Sequence, residues 1–304
     1  MNNDLDNTRP AHGTFMGIPS YQAGASADAV ILGIPYDIAT HPHRVGSRLG
    51  PDHVRFQSIQ TRPYLSDGQL TAGHGLTVVD AGNVIVTPGK SVEAFTAIHS
   101  AVGQILDAGA VPVTLGGDGA VTLPQLRAVS ERHPEFVVVH LDAHTDCYPV
   151  DAEEPFTNAT TFTHAASEGL IDVASSFHLG VRGTSSLGGV VYFATQLGYR
   201  VSSAQDLLDQ GMANVASQIL ETVGNRPVYL CWDMDVFDPS VAPGVCTPEW
   251  GGLSAAQGIE LMRSFAALNL VAVDINTVSP PHDPTGSTGS LAARVLLEAL
   301  HSLA

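Results

Sequence analysis

Residues 227–244, PVYLCWDMDVFDPSVAPG, decide the fold of this chain, because they join an apolar strand directly to a run of aspartates. The apolar residues that open the stretch predict a strand covered on both faces, as in a parallel sheet packed between helices. Asp233 and Asp235 occupy alternate positions where that strand ends, so their side chains point to the same side. Asp238 follows shortly before a Pro-Gly turn. Ligands bind at this edge of a parallel sheet, so the stretch predicts a polar site there.

A second strand end carries the same kinds of side chain. Residues 136–147, FVVVHLDAHTDC, place Asp142, His144 and Asp146 after an apolar run. Two such ends can bridge two ions, and carboxylates with imidazole suit Mn²⁺, Ni²⁺, Fe²⁺ or Zn²⁺ better than Ca²⁺. Taken singly, such aspartates are more often loop acids that cap helices or pair with an arginine such as Arg182. Two clusters at strand ends, each followed by turn-forming residues, favour a metal site.

Apolar β-branched runs alternate with helical patterns along the sequence, which predicts an α/β fold with a parallel sheet and helices on both faces. We expect residues 1–25 to form a loosely ordered N-terminal arm and residues 26–304 to form a single domain. Ser254 is expected to cap a helix. Strands are predicted from Ala29, Leu76, Ala110, Phe136, Phe177, Pro227 and Asn269, and helices over 91–108, 123–132, 205–222, 254–267 and 290–303.

Composition excludes several classes of function. The chain has 30 acidic and 13 basic side chains and a formal net charge of −17, so no basic stripe is available for nucleic acid. No apolar run reaches the length of a membrane span, and the polar N-terminus lacks the apolar core of a signal peptide. Cys147, Cys231 and Cys246 lack the spacing of a zinc clasp and are expected to be reduced thiols. These features predict a cytoplasmic protein.

Over nearly its whole length the chain resembles the ureohydrolases, the family of arginase and agmatinase. The resemblance implies an arginase-like, three-layer α/β/α sandwich with a central parallel sheet, often assembled as trimers or hexamers. It also implies a binuclear Mn²⁺ (sometimes Ni²⁺) centre whose bridging hydroxide attacks a guanidinium carbon and releases urea. The motifs that carry the resemblance are ILGIPYDIATHPHRVGSRLGPDHVR (31–55), LGGDGA (115–120), HLDAHTD (140–146), WDMDVFDPSVAPGVCTPEWGGLS (232–254) and DINTVSPPHDPTGSTGSLAA (274–293).

The resemblance also implies most of a ligand set for two ions. Gly119 stands where the family has a histidine ligand, so one ion site is complete and the other lacks its only imidazole. His140 is predicted either to hydrogen-bond a ligand or to pack in the core. The implied ligands are Asp142 and Asp233 as bridges, His144 and Asp235 at the complete site, and Asp146 at the incomplete one.

Two further positions depart from the family's pattern. Where the family has a histidine thought to relay protons, this sequence has Asn158, whose amide cannot exchange a proton at neutral pH. Where the family has a glutamate that pairs with the substrate guanidinium, it has Thr277, whose hydroxyl cannot form a bidentate charged pair. Asn158 and Thr277 are predicted to line the substrate pocket together with His282. His41 and His43 are candidate replacements for the lost imidazoles, although each is more often a solvated loop residue.

The coincident loss of a metal ligand, a relay and a substrate anchor predicts a catalytically impaired subunit. Such a subunit would support a catalytic ureohydrolase paralogue in a hetero-oligomer. The substrate of this assembly would be of the guanidine or biguanide type, such as metformin. The chain itself is expected to hold Mn²⁺ or Ni²⁺ as one ion, or no ion. The alternative is an active hydrolase of amidine C–N bonds that works with an altered or mononuclear site. A third hypothesis, a structural or ligand-sensing protein, needs only the fold.

Overall fold

The computed structural model describes residues 5–38, 43–62 and 75–303, and within them nine strands form one sheet. The strands are β1 (Thr8–Arg9), β2 (Ala29–Gly33), β3 (Val78–Val84), β4 (Val111–Leu115), β5 (Val137–Leu141), β6 (Phe177–Val181), β7 (Arg200–Ser203), β8 (Pro227–Asp233) and β9 (Asn269–Asn276). Their order across the sheet is β1-β3-β2-β4-β9-β8-β5-β6-β7. Only β1 pairs antiparallel among these described strands.

Helices cover both faces of the sheet. One face carries α1, α6, α7, α8 and α9, and the other carries α2, α3, α4 and α5. The bounds are α1 (Gly50–Ser58), α2 (Ser91–Asp107), α3 (Thr122–Ser130), α4 (Thr161–Ser167), α5 (Val190–Leu197), α6 (Ala204–Gln210), α7 (Met212–Val223), α8 (Ala255–Ser264) and α9 (Ser287–Ser302). The predicted α/β class with a central parallel sheet and three layers is confirmed.

The apolar strand residues serve both layers alternately. On β2, Ala29 and Ile31 pack into the core beneath α1, α8 and α9, whereas Val30 and Leu32 pack beneath α2. Successive strand side chains point to opposite faces, so a strand buried on both sides must be apolar throughout. All the predicted strands are present, and Ser254 caps α8 by accepting a hydrogen bond from the Gln257 amide.

Some elements differ from the sequence prediction. The helix predicted over 205–222 is two helices, because Gly211 takes a left-handed φ of 80° between α6 and α7. Strands β1 and β7 were missed because both are short, and β7 is a partly exposed edge strand without a sustained apolar run. Within residues 5–25, Leu5 and Phe15 are buried against the sheet. The division into an arm and a single domain stays a prediction.

The sheet order brings the two acidic strand ends to one place. Strands β4, β9, β8 and β5 are neighbours at the middle of the sheet, and they run parallel. Leu141 pairs with Trp232, so the residues that follow β5 lie level with the end of β8. In the part of the chain that the structure describes, no helix has both the length and the apolar character needed to cross a bilayer.

A buried ion pair ties α1 to β3 at the edge of the sheet. Arg55 Nε and Nη2 donate to the two carboxylate oxygens of Asp80, each at 2.9 Å, and both residues are almost fully buried. Asp80 also accepts a hydrogen bond from the Phe15 amide at 2.9 Å. The N-terminal segment, the first helix and the sheet therefore share one buried carboxylate.

Replacing Arg55 with methionine should lower the free energy of unfolding by about 3–5 kcal/mol, because Asp80 would remain buried without its cation. Guanidinium denaturation of the purified chain measures the change. Lys90→Met is the control, since Lys90 pairs with Glu93 on the surface and its loss should change stability little. Equal effects of the two substitutions would contradict the assignment of Arg55 as a structural residue.

Candidate metal centre

The structure brings the two aspartate clusters together at the carboxyl edge of the sheet. Asp142 follows β5 and Asp233 ends β8, which is the neighbouring strand. Asp142 and Asp233 are both nearly inaccessible to solvent. Arg182 donates to the backbone carbonyls of Asp235, Phe237 and other loop residues instead of pairing with these carboxylates. The aspartates are therefore assembled with each other, as the strand-end pattern predicts.

Asp142, His144 and Asp235 form one compact group of potential ligands. His144 Nδ1 lies 3.1 Å from Asp142 Oδ1 and 3.1 Å from Asp235 Oδ2. Two ligand atoms each about 2.1 Å from one ion, at a right angle, lie about 3 Å apart. Asp235 is held in place by hydrogen bonds from the Ala143 amide and the Thr247 hydroxyl, both at 2.9 Å. The spacing and donor types fit a divalent transition-metal ion.

Asp233 lies beside this group and contacts Thr277. Its Oδ1 accepts hydrogen bonds from the Asp235 amide at 2.7 Å and from the Thr277 hydroxyl at 2.5 Å. Thr277 has a left-handed φ of 66°, and its own amide donates to the Gly117 carbonyl at 2.7 Å. The residue at the expected anchor position therefore directs its hydroxyl at a carboxylate of the centre.

Gly119 lies next to the other predicted ligand, Asp146. A Cβ atom at Gly119 would lie 3.0 Å from Asp146 Oδ2 and 3.4 Å from Asn158 Cβ. A side chain at position 119 would thus extend into the space between Asp146 and Asn158. The buried Asn158 Oδ1 accepts no hydrogen bond from the described residues. The surroundings of Asp146 suit a cation, but position 119 contributes no ligand to it.

Burial shapes the protonation of the cluster. Burial and the neighbouring Asp235 raise the pKa of Asp142 to about 8, and burial raises the pKa values of Asp146 and Asp233 well above their usual range. Burial opposes charge on His144, yet Asp235 and Asp142 raise its pKa well above its ordinary value. Several buried carboxylates without a cation thus retain protons, which indicates that the cluster is suited to bind positive charge.

A cavity of about 450 Å³ opens onto this cluster. No lysine or arginine occurs among its described lining residues, whereas two carboxylates, Asp146 and Glu249, do. Asn158 lies in its wall, and its role toward a substrate stays a prediction. Cys246, in the same wall, hydrogen-bonds with Ser47 at 3.0 Å. The cavity is therefore electrostatically suited to a cationic or neutral ligand.

The other candidate histidines are not among the residues that line this cavity within the described chain. His282 Nδ1 hydrogen-bonds with Ser279 Oγ at 2.9 Å, and His43 is exposed. His41 lies outside the described residues. A substrate role for His282, and the proposed substitution by His41 or His43, stay predictions.

Sequence reasoning singled out His140, but it missed the row of buried groups that continues behind this residue. His140 Nε2 lies 3.0 Å from Asp142 Oδ2, and His140 Nδ1 lies 2.8 Å from His178 Nδ1. His178 Nε2 in turn lies 3.5 Å from Cys147 Sγ. His178 stands in the apolar run FHLGV, where it could have been noticed, but its pairing with His140 depends on the β5–β6 register. Thr247 and Glu249 were missed for the same reason, since only tertiary structure places their loop at the cavity.

In metal-stripped protein, the free energy of unfolding should fall as pH rises from about 6.5 to about 8, above the range in which the buried His140 and His178 oppose the trend. Burial raises the pKa of Asp118 to about 7 and that of Asp142 to about 8, from an ordinary 3.8. The two carboxyl groups therefore bind protons more tightly in the folded chain than in the unfolded chain. Their contribution to stability is fully present below pH 3.8 and is lost as pH rises through their folded pKa values of about 7 and about 8. Urea denaturation at stepped pH measures it. Asp118→Asn should flatten the slope, and a profile that rises over this window would contradict the assignment.

Comparisons with known proteins agree with this fold and site. The family model described as Arginase family matches residues 27–302. The chain is 36% identical to a guanidinobutyrase of Pseudomonas aeruginosa over 94% of this chain and 91% of that protein. It is 33% identical to a mitochondrial agmatinase of Gallus gallus, over 94% of this chain and 84% of the relative.

Among solved structures, the chain is similar to the proclavaminate amidinohydrolase of Streptomyces clavuligerus. The TM-score is 0.90 at 36% sequence identity, and the match covers 96% of each chain. The matched region includes every strand from β2 to β9 and therefore the whole carboxyl edge that carries the aspartates. With a family model spanning most of its length and relatives above 30% identity, this chain belongs to the arginase family, the ureohydrolases.

Proposed function

We propose that this chain is a catalytically impaired ureohydrolase subunit that assembles with a catalytic paralogue as a trimer or hexamer. The observation that carries the proposal is the clustering of the three replaced positions. Gly119, Asn158 and Thr277 all adjoin the aspartates of one centre, while the aspartates and His144 are retained. Three replacements scattered over the chain would have no common consequence. Because these three surround one centre, together they would remove chemical steps from that centre.

The retained residues would hold one Mn²⁺ or Ni²⁺ ion, through Asp142, His144, Asp233 and Asp235. When bound, such an ion supplies a water of lowered pKa and a positive charge that polarises an electrophile. Asp235 is already oriented for this role by the Ala143 amide and the Thr247 hydroxyl.

The replaced residues explain why this centre would turn over poorly. The Asn158 amide has no proton to give or take at neutral pH, so it cannot act as a general acid or base. The Thr277 hydroxyl donates to Asp233 and carries no charge for a guanidinium. A substrate would therefore lack both a charged partner for orientation and a route for its leaving-group proton.

The cavity supports a ligand of the guanidine or biguanide type, with metformin as one example. When an ion is bound, Asp146 and Glu249 contribute negative charge to its walls, and no lysine or arginine is among the described lining residues. Guanidinobutyrase and guanidinopropionase, by their names, act on guanidino acids, whereas agmatinase acts on an amine. The charge of this cavity favours ligands without a carboxylate.

The alternative is an active hydrolase that uses one ion. It is supported by the intact group of Asp142, His144 and Asp235. Thr277→Glu separates the two functions in the isolated chain. Under the alternative, this substitution raises urea release from simple guanidines, because it restores the anchor. Under the subunit proposal it does not, because Gly119 and Asn158 are unchanged.

Co-expression with a ureohydrolase paralogue from the same genome tests the proposal. Urea release and metal content are measured for each chain alone and for the mixture, each loaded with Mn²⁺ or Ni²⁺. We expect the mixture to exceed the sum of its parts and the two chains to co-elute in size-exclusion chromatography. The partner mixed with heat-denatured chain is the control. Urea release by this chain alone at about 1 s⁻¹ or faster, or a mixture no better than its parts, would sink the proposal.

The preference for cationic ligands can be measured by calorimetry on Mn²⁺-loaded protein, in which the bound cation favours the ionised form of Asp146. Agmatine and 4-guanidinobutyrate share a guanidinium but end in an ammonium and a carboxylate, respectively. Agmatine should bind about tenfold tighter or better, which corresponds to about 1.4 kcal/mol. Glu249→Gln removes one negative charge from the cavity wall and should reduce the difference in affinity between agmatine and 4-guanidinobutyrate. Tighter binding of the acid would contradict the assignment of the ligand class.

A further inference from the structure

We propose that His140, Asp142 and Asp146 form a second cation site, in which His140 contributes the imidazole that position 119 no longer provides. The site would take a divalent transition-metal ion. This inference goes beyond the proposed function, because it concerns ion binding by this chain and holds or fails whether or not a paralogue is needed for turnover.

The first argument is the arrangement of ligand atoms. One nitrogen of His140 and one oxygen each of Asp142 and Asp146 lie within 4.8 Å of one another. His140 Nε2 and Asp142 Oδ2 are 3.0 Å apart, which matches the spacing of about 3 Å expected for neighbouring ligands of one ion. One imidazole and two carboxylates are the donor types that Mn²⁺, Ni²⁺ or Zn²⁺ accept.

Asp142 can serve both sites at once. Its Oδ1 faces His144 at 3.1 Å, and its Oδ2 faces His140 at 3.0 Å. The two oxygens of a single carboxylate thus point into two different groups of potential ligands. The two sites share Asp142 but use different imidazoles, so an ion in one does not remove the other's nitrogen ligand.

Asp146 gives an independent indication of a missing partner. The residue is only 6% exposed, and its carboxylate accepts no hydrogen bond from any residue in the described ranges. Its backbone has a left-handed φ of 49°, a conformation that costs a non-glycine residue about 1–3 kcal/mol and occurs at ligand sites. The carboxylate faces the cavity without a donor from the described residues, which leaves its oxygens available to a cation.

The surroundings of His140 orient its ring as expected for a metal ligand. The ring packs on Phe162, with centroids 4.4 Å apart, and its Nδ1 lies 2.8 Å from His178 Nδ1. With Nε2 turned to an ion, Nδ1–H donates to His178, and His178 Nε2–H donates to Cys147 Sγ at 3.5 Å. Metal-binding histidines usually donate their second N–H in this manner, which fixes the ring's tautomer and direction. Each nitrogen in the row then has a partner.

Metal content of the full chain tests the inference. The protein is stripped with chelator, reloaded with Mn²⁺ and analysed by mass spectrometry for metal content and by calorimetry for affinity. Wild-type protein should bind one ion in the Asp142–His144–Asp235 group and a second in the new site. His140→Gln should lose only the second ion, and His144→Gln should lose only the first. Adding Gly119→His to His140→Gln should restore the second ion, because it returns an imidazole beside Asp146.

Two further variants keep the inference testable if His140→Gln does not fold. Asp146→Asn keeps the shape of the side chain and should also lose the second ion, even if His140→Gln does not fold. His178→Gln leaves all three ligands in place and should weaken the second ion by about 10–100-fold while leaving the first unchanged. Circular dichroism confirms the fold of each variant. A wild-type chain that binds only one ion, or an Asp146→Asn or folded His140→Gln variant that binds both, would overturn the inference.

Discussion

The burial of several carboxylates at adjoining strand ends is the constraint on which the rest of the site depends. Parallel strands β5 and β8 place Asp142 and Asp233 side by side, and solvent cannot stabilise their charges there. Such a cluster must keep protons, gain hydrogen-bond donors or bind cations. The backbone amides of Ala143 and Asp235 meet part of this need. The negative charge that these amides do not compensate accounts for the raised pKa of Asp142 and for the suitability of the cluster for metal ions.

The replaced positions affect this cluster through different kinds of chemistry. Under the proposed function, Gly119 would remove a ligand and Asn158 a proton carrier, and Thr277 would replace a charged anchor with a hydroxyl that donates to Asp233. None of them disturbs the sheet, because all three lie beyond the strand ends, where loops carry function and strands carry stability. A chain can therefore lose turnover and keep its fold, and a fold that is kept remains available for assembly with a partner.

Much of the fold and part of the site were predictable from sequence. The apolar runs predicted the strands from β2 to β9 except the short β7, and the acidic residues after β5 and β8 predicted where a ligand site would lie. The prediction of a single helix over 205–222 was wrong. The apolar pattern continues through Gly211, but the backbone conformation of this residue ends α6 there. Family resemblance directed attention to Gly119, Asn158 and Thr277, and the structure places all three next to the aspartates.

The sequence by itself determined the periodicity, the ligand types and the net charge, since these depend on neighbouring residues alone. Tertiary structure decided which strands are neighbours and which side chains meet, because such contacts join residues far apart in the chain. The pairing of His140 with His178, the hydroxyl of Thr277 on Asp233 and the acidic cavity that includes Glu249 all arise in this way. A strand pattern specifies which faces are apolar, but it does not specify the order in which strands assemble.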